Sequence, residues 1–222
     1  MDKNAQAIQY MKEQNFEEAA KLFNEVIEKH PNDAVGYINF ANLLMQVNEN
    51  DRALLFLERA VELDPSAATA YYGLGNLYFE QSAFPKAQAN FQKAIELGLE
   101  ESDVYFMLGI TLQSQEQPRL ALPYLLRATE LNPDDEEVLF QYGLSLAQSD
   151  SLADAEAIFK RVLEINQAHS DAHYNLGVIS LFNEKVQDAL KHFDEALRIQ
   201  PDHLLALNGK QNVEQFINEN KK

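Results

Sequence analysis

The residues of this chain that could bind a metal ion or act as nucleophiles are few. The 222 residues include five histidines and no cysteine, which excludes disulfides, thiolate nucleophiles and thiolate metal ligands. His169 and His173 are four residues apart, the spacing at which two side chains on one helix can share a zinc ion. The repeat described below places His169 before its helix and His173 in a packing column, with no carboxylate or sulfur ligand to complete the set. We therefore predict no metal site.

Motifs for catalysis or cofactor binding are also missing. Gly73 and Gly75 in YYGLGN resemble a dinucleotide-binding loop, but that loop requires a preceding strand, and here the glycines fall within a helical pattern. The sequence contains no nucleophile elbow, P-loop or calcium loop, and nothing in the pattern buries a carboxylate so as to raise its pKa. We expect a protein that is not an enzyme and that has no cofactor.

The negative net charge limits the classes of partner that this chain is expected to bind. Lys and Arg total 18 against 35 Asp and Glu, giving a net charge of −17. This field repels phosphate backbones and anionic lipids, so neither nucleic acid nor a membrane is an expected partner. The opening residues MDKNAQAIQYMKEQ lack an apolar segment, and no stretch approaches 18 apolar residues. We expect a cytoplasmic protein.

A 34-residue period organises the chain. Four columns of small or apolar residues keep this spacing over six copies without an insertion, and a fixed period of this kind indicates a repeat architecture. The first column is Ala7, Ala41, Gly75, Gly109, Gly143 and Gly177. The others start at Ala19, Phe23 and Val26 and repeat in the same way.

Each period encodes two helices. Tyr71, Leu74, Gly75 and Tyr78 follow the spacing of one helical stripe, and Ala87, Phe91 and Ala94 form a second stripe. The small residues of the two stripes allow the helices to approach closely, and the large residues fill the space around them. A proline ends the second helix in four periods, at Pro31, Pro65, Pro133 and Pro201.

These columns resemble the tetratricopeptide repeat (TPR) signature along nearly the whole chain, in the style of small stand-alone TPR proteins of Bacillus-type bacteria. The resemblance implies an all-α fold, a right-handed α-solenoid of six 34-residue helix-turn-helix units followed by a C-terminal capping helix. A single solenoid would span 1–203, with units 1–33, 34–67, 68–101, 102–135, 136–169 and 170–203. The capping helix and a polar tail would span 204–222.

The capping helix is expected to have one apolar and one polar side. We expect the last repeat to be covered by Leu204, Leu207, Val213, Phe216 and Ile217. The residues expected to face water are Lys210, Gln211, Glu214 and Gln215. A stack of repeats needs such a polar end to remain in solution, so we expect a monomer.

The resemblance also implies a binding face. In the TPR family, first-helix positions that are not used for packing line a concave groove, which holds a peptide segment or a helix of another protein. The groove residues that the register assigns are Asn39, Asn42, Tyr72, Asn76, Phe106, Phe140, Gln141, Tyr174 and Asn175. An amide can both donate to and accept from a peptide main chain. For each aromatic residue, packing against a neighbouring helix is an alternative that the sequence leaves open.

A row of carboxylates could select the ligand. The position that carries a ligand-binding lysine in chaperone-binding TPR proteins holds Asp103, Glu137 and Asp171 here, so an acidic EEVD-type chaperone tail is not an expected ligand. These three residues could form an acidic rim that prefers a basic ligand. Carboxylates also stabilise helix N-termini without any ligand, and this alternative stays open.

The sequence therefore favours a non-enzymatic adaptor or scaffold that binds a peptide segment or helix of a partner protein. One alternative is a peptide-sensing regulatory protein whose curvature changes on binding. Another is a self-assembling scaffold. The sequence does not identify the partner.

Overall fold

A computed structural model describes residues 2–220, and in this range the chain forms thirteen α-helices and no strand. The all-α class is confirmed. The helices are α1 Lys3–Lys12, α2 Phe16–Lys29, α3 Ala34–Gln46, α4 Asn50–Leu63, α5 Ala68–Glu80, α6 Phe84–Glu96, α7 Ser102–Ser114, α8 Pro118–Leu131, α9 Glu136–Gln148, α10 Leu152–Ile165, α11 Ser170–Phe182, α12 Val186–Ile199 and α13 Leu204–Asn220.

The helices alternate between first and second members of a hairpin in step with the 34-residue period. From the second repeat onward, each first helix begins at the first residue of a repeat unit, at Ala34, Ala68, Ser102, Glu136, Ser170 and Leu204. The four prolines follow the second helices α2, α4, α8 and α12, each two residues after the helix ends. Proline disfavours the helical conformation of the residue before it, so the second helices end where they do.

The column of small residues exists because an aromatic ring packs on the backbone of the first helix. A Cβ atom added to Gly75 would lie 2.5 Å from Cε1 of Phe91. The corresponding distance is 2.8 Å between Gly143 and Phe159, and 2.6 Å between Gly177 and Phe193. Carbon atoms in contact are normally about 3.5–4.0 Å apart, so only glycine allows the two helices of these hairpins to lie so close.

The turn inside each hairpin repeats as well. One residue per turn adopts a left-handed conformation, with φ between 56° and 66°, and none of these residues is glycine. They are Gln14, Asn48, Ser82, Glu116, Asp150 and Glu184. In five of these turns the residue after the left-handed one also donates its N–H to the carbonyl five residues earlier, as Asn15 does to Tyr10 at 2.8 Å.

Two compact units divide the chain between Glu116 and Gln117, inside the fourth repeat. The first contains α1–α7, with a core that includes Phe23, Phe40 and Leu57. The second contains α8–α13, with core clusters around Phe159 and Phe193. The single solenoid over 1–203 stays a prediction.

The capping helix α13 packs through small residues at its closest contact with the last repeat. Ala206 is fully buried and Val213 nearly so, and a Cβ atom on Gly209 would lie 2.9 Å from the Phe193 ring. Of the five residues predicted to cover the last repeat, Val213 and Ile217 pack in the core cluster around Phe193. The prediction is wrong for Leu204, Leu207 and Phe216, which are 70%, 38% and 60% exposed, because the contact at Gly209 places Ala206 and Val213 on the buried side instead.

The expected polar side of α13 also differs in one residue. Lys210 is half-buried, and its ammonium group forms an ion pair with Asp194 of α12 at 2.6 Å. Gln211, Glu214 and Gln215 are exposed, as expected. The ion pair joins α13 to α12 at the level of the Phe193 ring contact.

Candidate functional site

On α3, α5, α7, α9, α11 and α13, one stripe remains at least partly accessible, except at Gly73, which is buried. Residues at intervals of four, three and four along a helix share one face, and we call these four positions the first-helix stripe. In the first unit the stripes are Val35, Asn39, Asn42 and Gln46 on α3; Thr69, Gly73, Asn76 and Glu80 on α5; and Asp103, Met107, Ile110 and Ser114 on α7. In the second unit they are Glu137, Gln141, Leu144 and Gln148 on α9; Asp171, Asn175, Val178 and Phe182 on α11; and Leu205, Gly209, Asn212 and Phe216 on α13.

The amides of the first unit differ in their availability. The Asn39 side chain donates to the Asn4 side-chain oxygen of α1 at 3.0 Å. Asn76 is half-buried. Asn42 is exposed, and between residues 2 and 220 its side chain makes no hydrogen bond. Among the three predicted asparagines of this unit, Asn42 is therefore the one most available to a ligand.

The amides of the second unit form local bonds. Gln141 donates to the Glu137 carboxylate at 2.8 Å. Asn175 donates to the Asp171 backbone carbonyl of its own helix, also at 2.8 Å. An amide group has two donor hydrogens and an acceptor oxygen, so one bond to the preceding turn leaves most of the Asn175 capacity for a ligand.

Most of the predicted aromatic column packs inside the protein. The Tyr72 ring centroid lies 5.9 Å from that of Phe91, and burial raises the pKa of the Tyr72 hydroxyl. Phe140 lies 5.7 Å from Phe159, and Tyr174 lies 6.0 Å from Phe193. Phe106 is half-buried in the first unit. The packing alternative is favoured for Tyr72, Phe140 and Tyr174, whereas their contact with a ligand stays a prediction.

Two histidines that the sequence analysis did not assign to the site support these rings. His169 and His203 each precede a first helix, and the Nδ1 atom of each accepts a backbone N–H of that helix, at 3.3 Å and 3.1 Å. The His169 ring lies 4.5 Å from Phe140, and the His203 ring lies 5.3 Å from Tyr174. The sequence could have indicated that these histidines cap helices, because the equivalent positions of earlier repeats hold Asp33 and Asp135, which cap α3 and α9.

The predicted acidic rim has internal partners in the second unit. Asp103, Glu137 and Asp171 are all exposed. Asp171 accepts the Nε2–H of His203 at 3.0 Å, since Nδ1 of that ring already acts as an acceptor. Glu137 accepts from Gln141, as described. These bonds position the carboxylates at the N-terminal ends of α9 and α11, and a preference for basic ligands stays a prediction.

A second histidine pair lies between α11 and α12. The Nδ1 atoms of His173 and His192 are 3.4 Å apart. Burial lowers the pKa of both rings, and the proximity of His173 lowers the pKa of His192 further. Across the part of the chain that is described, no three His, Asp or Glu side chains are grouped so as to hold a metal ion.

Two cavities open beside the stripes of the second unit. One, of about 280 Å³, lies between α9, α10 and α11 and includes Leu144, Asn175 and Phe182. The other, of about 540 Å³, lies between α11, α12 and α13 and includes Leu181 and Phe216. The sequence analysis missed Phe182 altogether and placed Phe216 in the core. The sequence could have indicated that both phenylalanines are exposed, because the equivalent position is polar in every earlier repeat. The residues there are Lys12, Gln46, Glu80, Ser114 and Gln148.

Between residues 2 and 220, none of the helices combines the length and the apolar character that crossing a bilayer requires.

Family models match most of the chain. Models described as tetratricopeptide repeat match residues 5–33, 66–134, 106–169 and 170–203. A model described as TPR repeat matches residues 41–82. Between residues 5 and 203 only the segment 34–40 lies outside these matches.

Similar proteins include one at high identity. A solved structure described as YrrB, a TPR protein with an unusual peptide-binding site, is 49% identical, with a TM-score of 0.84, over 86% of this chain and 99% of that one. The curated TPR repeat-containing protein YrrB of Bacillus subtilis is 54% identical over 39 residues, which is 18% of this chain and only 19% of that protein. The PilF structure of Pseudomonas aeruginosa shares the fold, at 17% identity and a TM-score of 0.79, over 95% of this chain and 96% of that one.

Proposed function

Because this chain belongs to the tetratricopeptide repeat family, with the fold of a protein-interaction scaffold, we propose that it is a non-enzymatic adaptor that binds a peptide segment or helix of a partner protein along its first-helix stripes. The observation that carries the proposal is the accessibility of these stripes. After every hairpin has packed, amide and apolar side chains of the first helices still reach solvent, notably Asn42, Asn175 and Val178. The description of the YrrB structure names a peptide-binding site in that protein, which supports the same class of ligand here.

The chemistry of the stripes suits a polypeptide. Asparagine is unfavourable inside a helix by about 0.5 kcal/mol relative to alanine, so Asn42 and Asn175 are not explained by helix stability. An amide can bond both to the N–H and to the C=O of a ligand backbone. The half-buried Leu144 and Val178 beside Asn175 supply apolar area. A ligand would thus be held by its main chain and by apolar side chains together.

The proposal is tested by a variant that removes these amides without disturbing the core. We would compare the proteins retained from a source-organism lysate by wild type and by an Asn42→Ala, Asn175→Ala variant. The matched control is Asn24→Ala, Asn90→Ala, because both of these asparagines lie on second helices and donate to a carbonyl four residues earlier, at 3.0 Å and 2.8 Å, as Asn175 does.

The proposal predicts a protein that is retained by wild type and by the control, and lost by the Asn42→Ala, Asn175→Ala variant. Its affinity, measured by titration calorimetry with the purified partner, should fall at least tenfold in that variant. If the two variants retain the same proteins as wild type, the ligand does not contact the stripes and the proposal fails.

A further inference from the structure

The two cavities of the second unit are copies of one pocket. Six residues that line the cavity between α9, α10 and α11 are Ala147, Asp150, Leu152, Val178, Ile179 and Phe182. The cavity between α11, α12 and α13 is lined by Leu181, Glu184, Val186, Asn212, Val213 and Phe216. Each residue of the second set follows its counterpart in the first by 34 positions. We call them the paired pockets.

The chemistry of the paired pockets is also shared. In both, most of the lining side chains are apolar, and one of them is a phenylalanine of a first helix. In both, the left-handed turn residue, Asp150 or Glu184, contributes a carboxylate to the lining. No lysine or arginine is among the described residues that line either pocket. Asp150 forms an ion pair with Arg119 at 3.4 Å, so Glu184 supplies the stronger negative charge beside the apolar area.

The two phenylalanines differ from the other residues of their column in both exposure and chemistry. Phe182 and Phe216 are 70% and 60% exposed. At the same position of the second to fifth repeats, the chain has Gln46, Glu80, Ser114 and Gln148, so the helical hairpin does not require an aromatic residue there. An exposed aromatic pair at a position that is polar in the other repeats indicates an interaction site, because aromatic residues dominate the energetics of protein interfaces.

We propose that the paired pockets bind two apolar side chains of one partner segment that also carries lysine or arginine beside them. This inference rests on the proposed adaptor function and names the chemistry of its ligand. A second copy of this chain is a poor occupant, because each copy has a net charge of −17 and would be repelled. A basic segment is attracted by the same field and can pair with Glu184, which forms no ion pair within residues 2–220.

The geometry limits the spacing of the two apolar side chains. The pockets are one repeat apart, on the packed helices α11 and α13, and packed helices lie about 8–10 Å apart. A polyproline II segment covers this distance in about three residues, which is one full turn, so its residues i and i+3 face the same side. An α-helix covers the distance in about six or seven residues. The ligand should therefore carry apolar residues at i and i+3 if it is a polyproline II segment, or at i and i+7 if it is helical.

The test uses a phage-displayed library of random 12-residue peptides, selected on the immobilised full chain at low salt. Affinities of the enriched peptides would be measured by fluorescence polarisation for wild type and for Phe182→Gln, Phe216→Gln. Glutamine is the residue that the chain itself has at this position in two other repeats. The matched control is Leu55→Gln, Leu204→Gln, which replaces two residues of similar exposure, 64% and 70%, outside the pockets. Circular dichroism would show that all variants are equally folded.

We expect the enriched peptides to carry an apolar pair at one of the two spacings, with an adjacent lysine or arginine. Their affinity should fall at least tenfold in the phenylalanine variant and remain unchanged in the control. Glu184→Gln should weaken binding at low salt and reduce its dependence on salt, since the carboxylate acts through charge.

Three results would overturn the inference. The first is that no peptide is enriched, or that the enriched peptides lack basic residues. The second is equal affinity for wild type and the phenylalanine variant; if binding is then lost in the Asn42→Ala, Asn175→Ala variant, the adaptor function stands and only the paired pockets are refuted. The third is a concentration-dependent dimer in sedimentation that the phenylalanine variant abolishes, which would make the pockets a self-association surface.

Discussion

Replacing Gly177 by alanine should destabilise the second unit, although alanine is the better helix former. The Cβ atom of the new residue would lie 2.6 Å from Cε1 of Phe193, about 1 Å inside a normal carbon–carbon contact. The ring is fully buried and cannot move away freely, because the Gly209 backbone of α13 packs against the tip of the ring, where an added Cβ would lie 2.9 Å from Cζ.

Two opposing effects set the magnitude. Glycine to alanine inside a helix lowers the free energy of the helix by about 1 kcal/mol. Overpacking a filled core costs about 1–3 kcal/mol, and a ring held between two backbones places Gly177→Ala near the upper end. The free energy of unfolding should therefore fall by about 1–2 kcal/mol. In contrast, an added Cβ on Gly36 meets only Val26 and Ile27 side-chain atoms at 3.3 Å and 3.4 Å, so Gly36→Ala should be close to neutral.

The assay is urea unfolding followed by circular dichroism at 222 nm. The chain supplies the compensating change, since the second repeat has Ala41 and Leu57 at the positions that hold Gly177 and Phe193 in the sixth. Phe193→Leu alone should also destabilise the protein by leaving a cavity. The double variant Gly177→Ala, Phe193→Leu should be more stable than the sum of the single changes predicts, by about 1 kcal/mol or more.

Additive free energies would refute this reasoning, because they would show that the alanine methyl group and the ring do not meet. A Gly177→Ala variant more stable than wild type would refute it as well, since helix propensity would then outweigh the packing constraint that we assign to the glycine column.

Three further predictions concern pH, a turn and a helix cap. Burial lowers the pKa of His173 and His192 in the folded state, so the unfolded chain binds more protons and the protein should lose stability as pH falls below the unfolded pKa of about 6.5. Between pH 7.5 and 5.0 the unfolding midpoint temperature of wild type should therefore drop more than that of the His173→Tyr, His192→Phe variant. Ser82→Gly should raise the free energy of urea unfolding by up to about 1 kcal/mol, because Ser82 has a φ of 56° that costs a non-glycine residue energy; an unchanged midpoint would contradict this. His203→Ala should lower the free energy of unfolding by about 1 kcal/mol through loss of the α13 cap, and His203→Asp should restore it; equal midpoints for these two variants would show that the cap has no effect.

The period of the sequence predicts the helices well because it reports on packing that every repeat must solve in the same way. A small residue on the first helix and a large one on the second, phenylalanine in four repeats and leucine in two, recur every 34 residues. The helices α3, α5, α7, α9 and α11 likewise begin 34 residues apart. A regular pattern of this kind averages out the local signals, such as single prolines or caps, that make isolated helix boundaries hard to place.

The docking of α13 could not be predicted in the same way, because it has no second helix to complete the pattern. Hydrophobicity correctly favoured Val213 for the buried side. It wrongly favoured Leu204, Leu207 and Phe216, which are exposed, and it missed Ala206, which is fully buried. The deciding factor is the distance between α13 and the Phe193 ring, which requires Gly209 at the contact. Close approach is a property of two surfaces together, and the sequence of one helix does not report it.

The candidate site shows the same division between shared and individual features. The aromatic column recurs at regular steps, and Tyr72, Phe140 and Tyr174 pack on second-helix rings, as a feature common to all repeats should when it serves the fold. Phe182 and Phe216 depart from a column that is polar in all earlier repeats, and they are exposed. In a repeat protein, a residue that differs in type from those at the same position of the other repeats cannot be required for the hairpin to fold. Such residues are therefore the stronger candidates for recognising a particular partner, and in this chain they are concentrated at the C-terminal ends of α11 and α13.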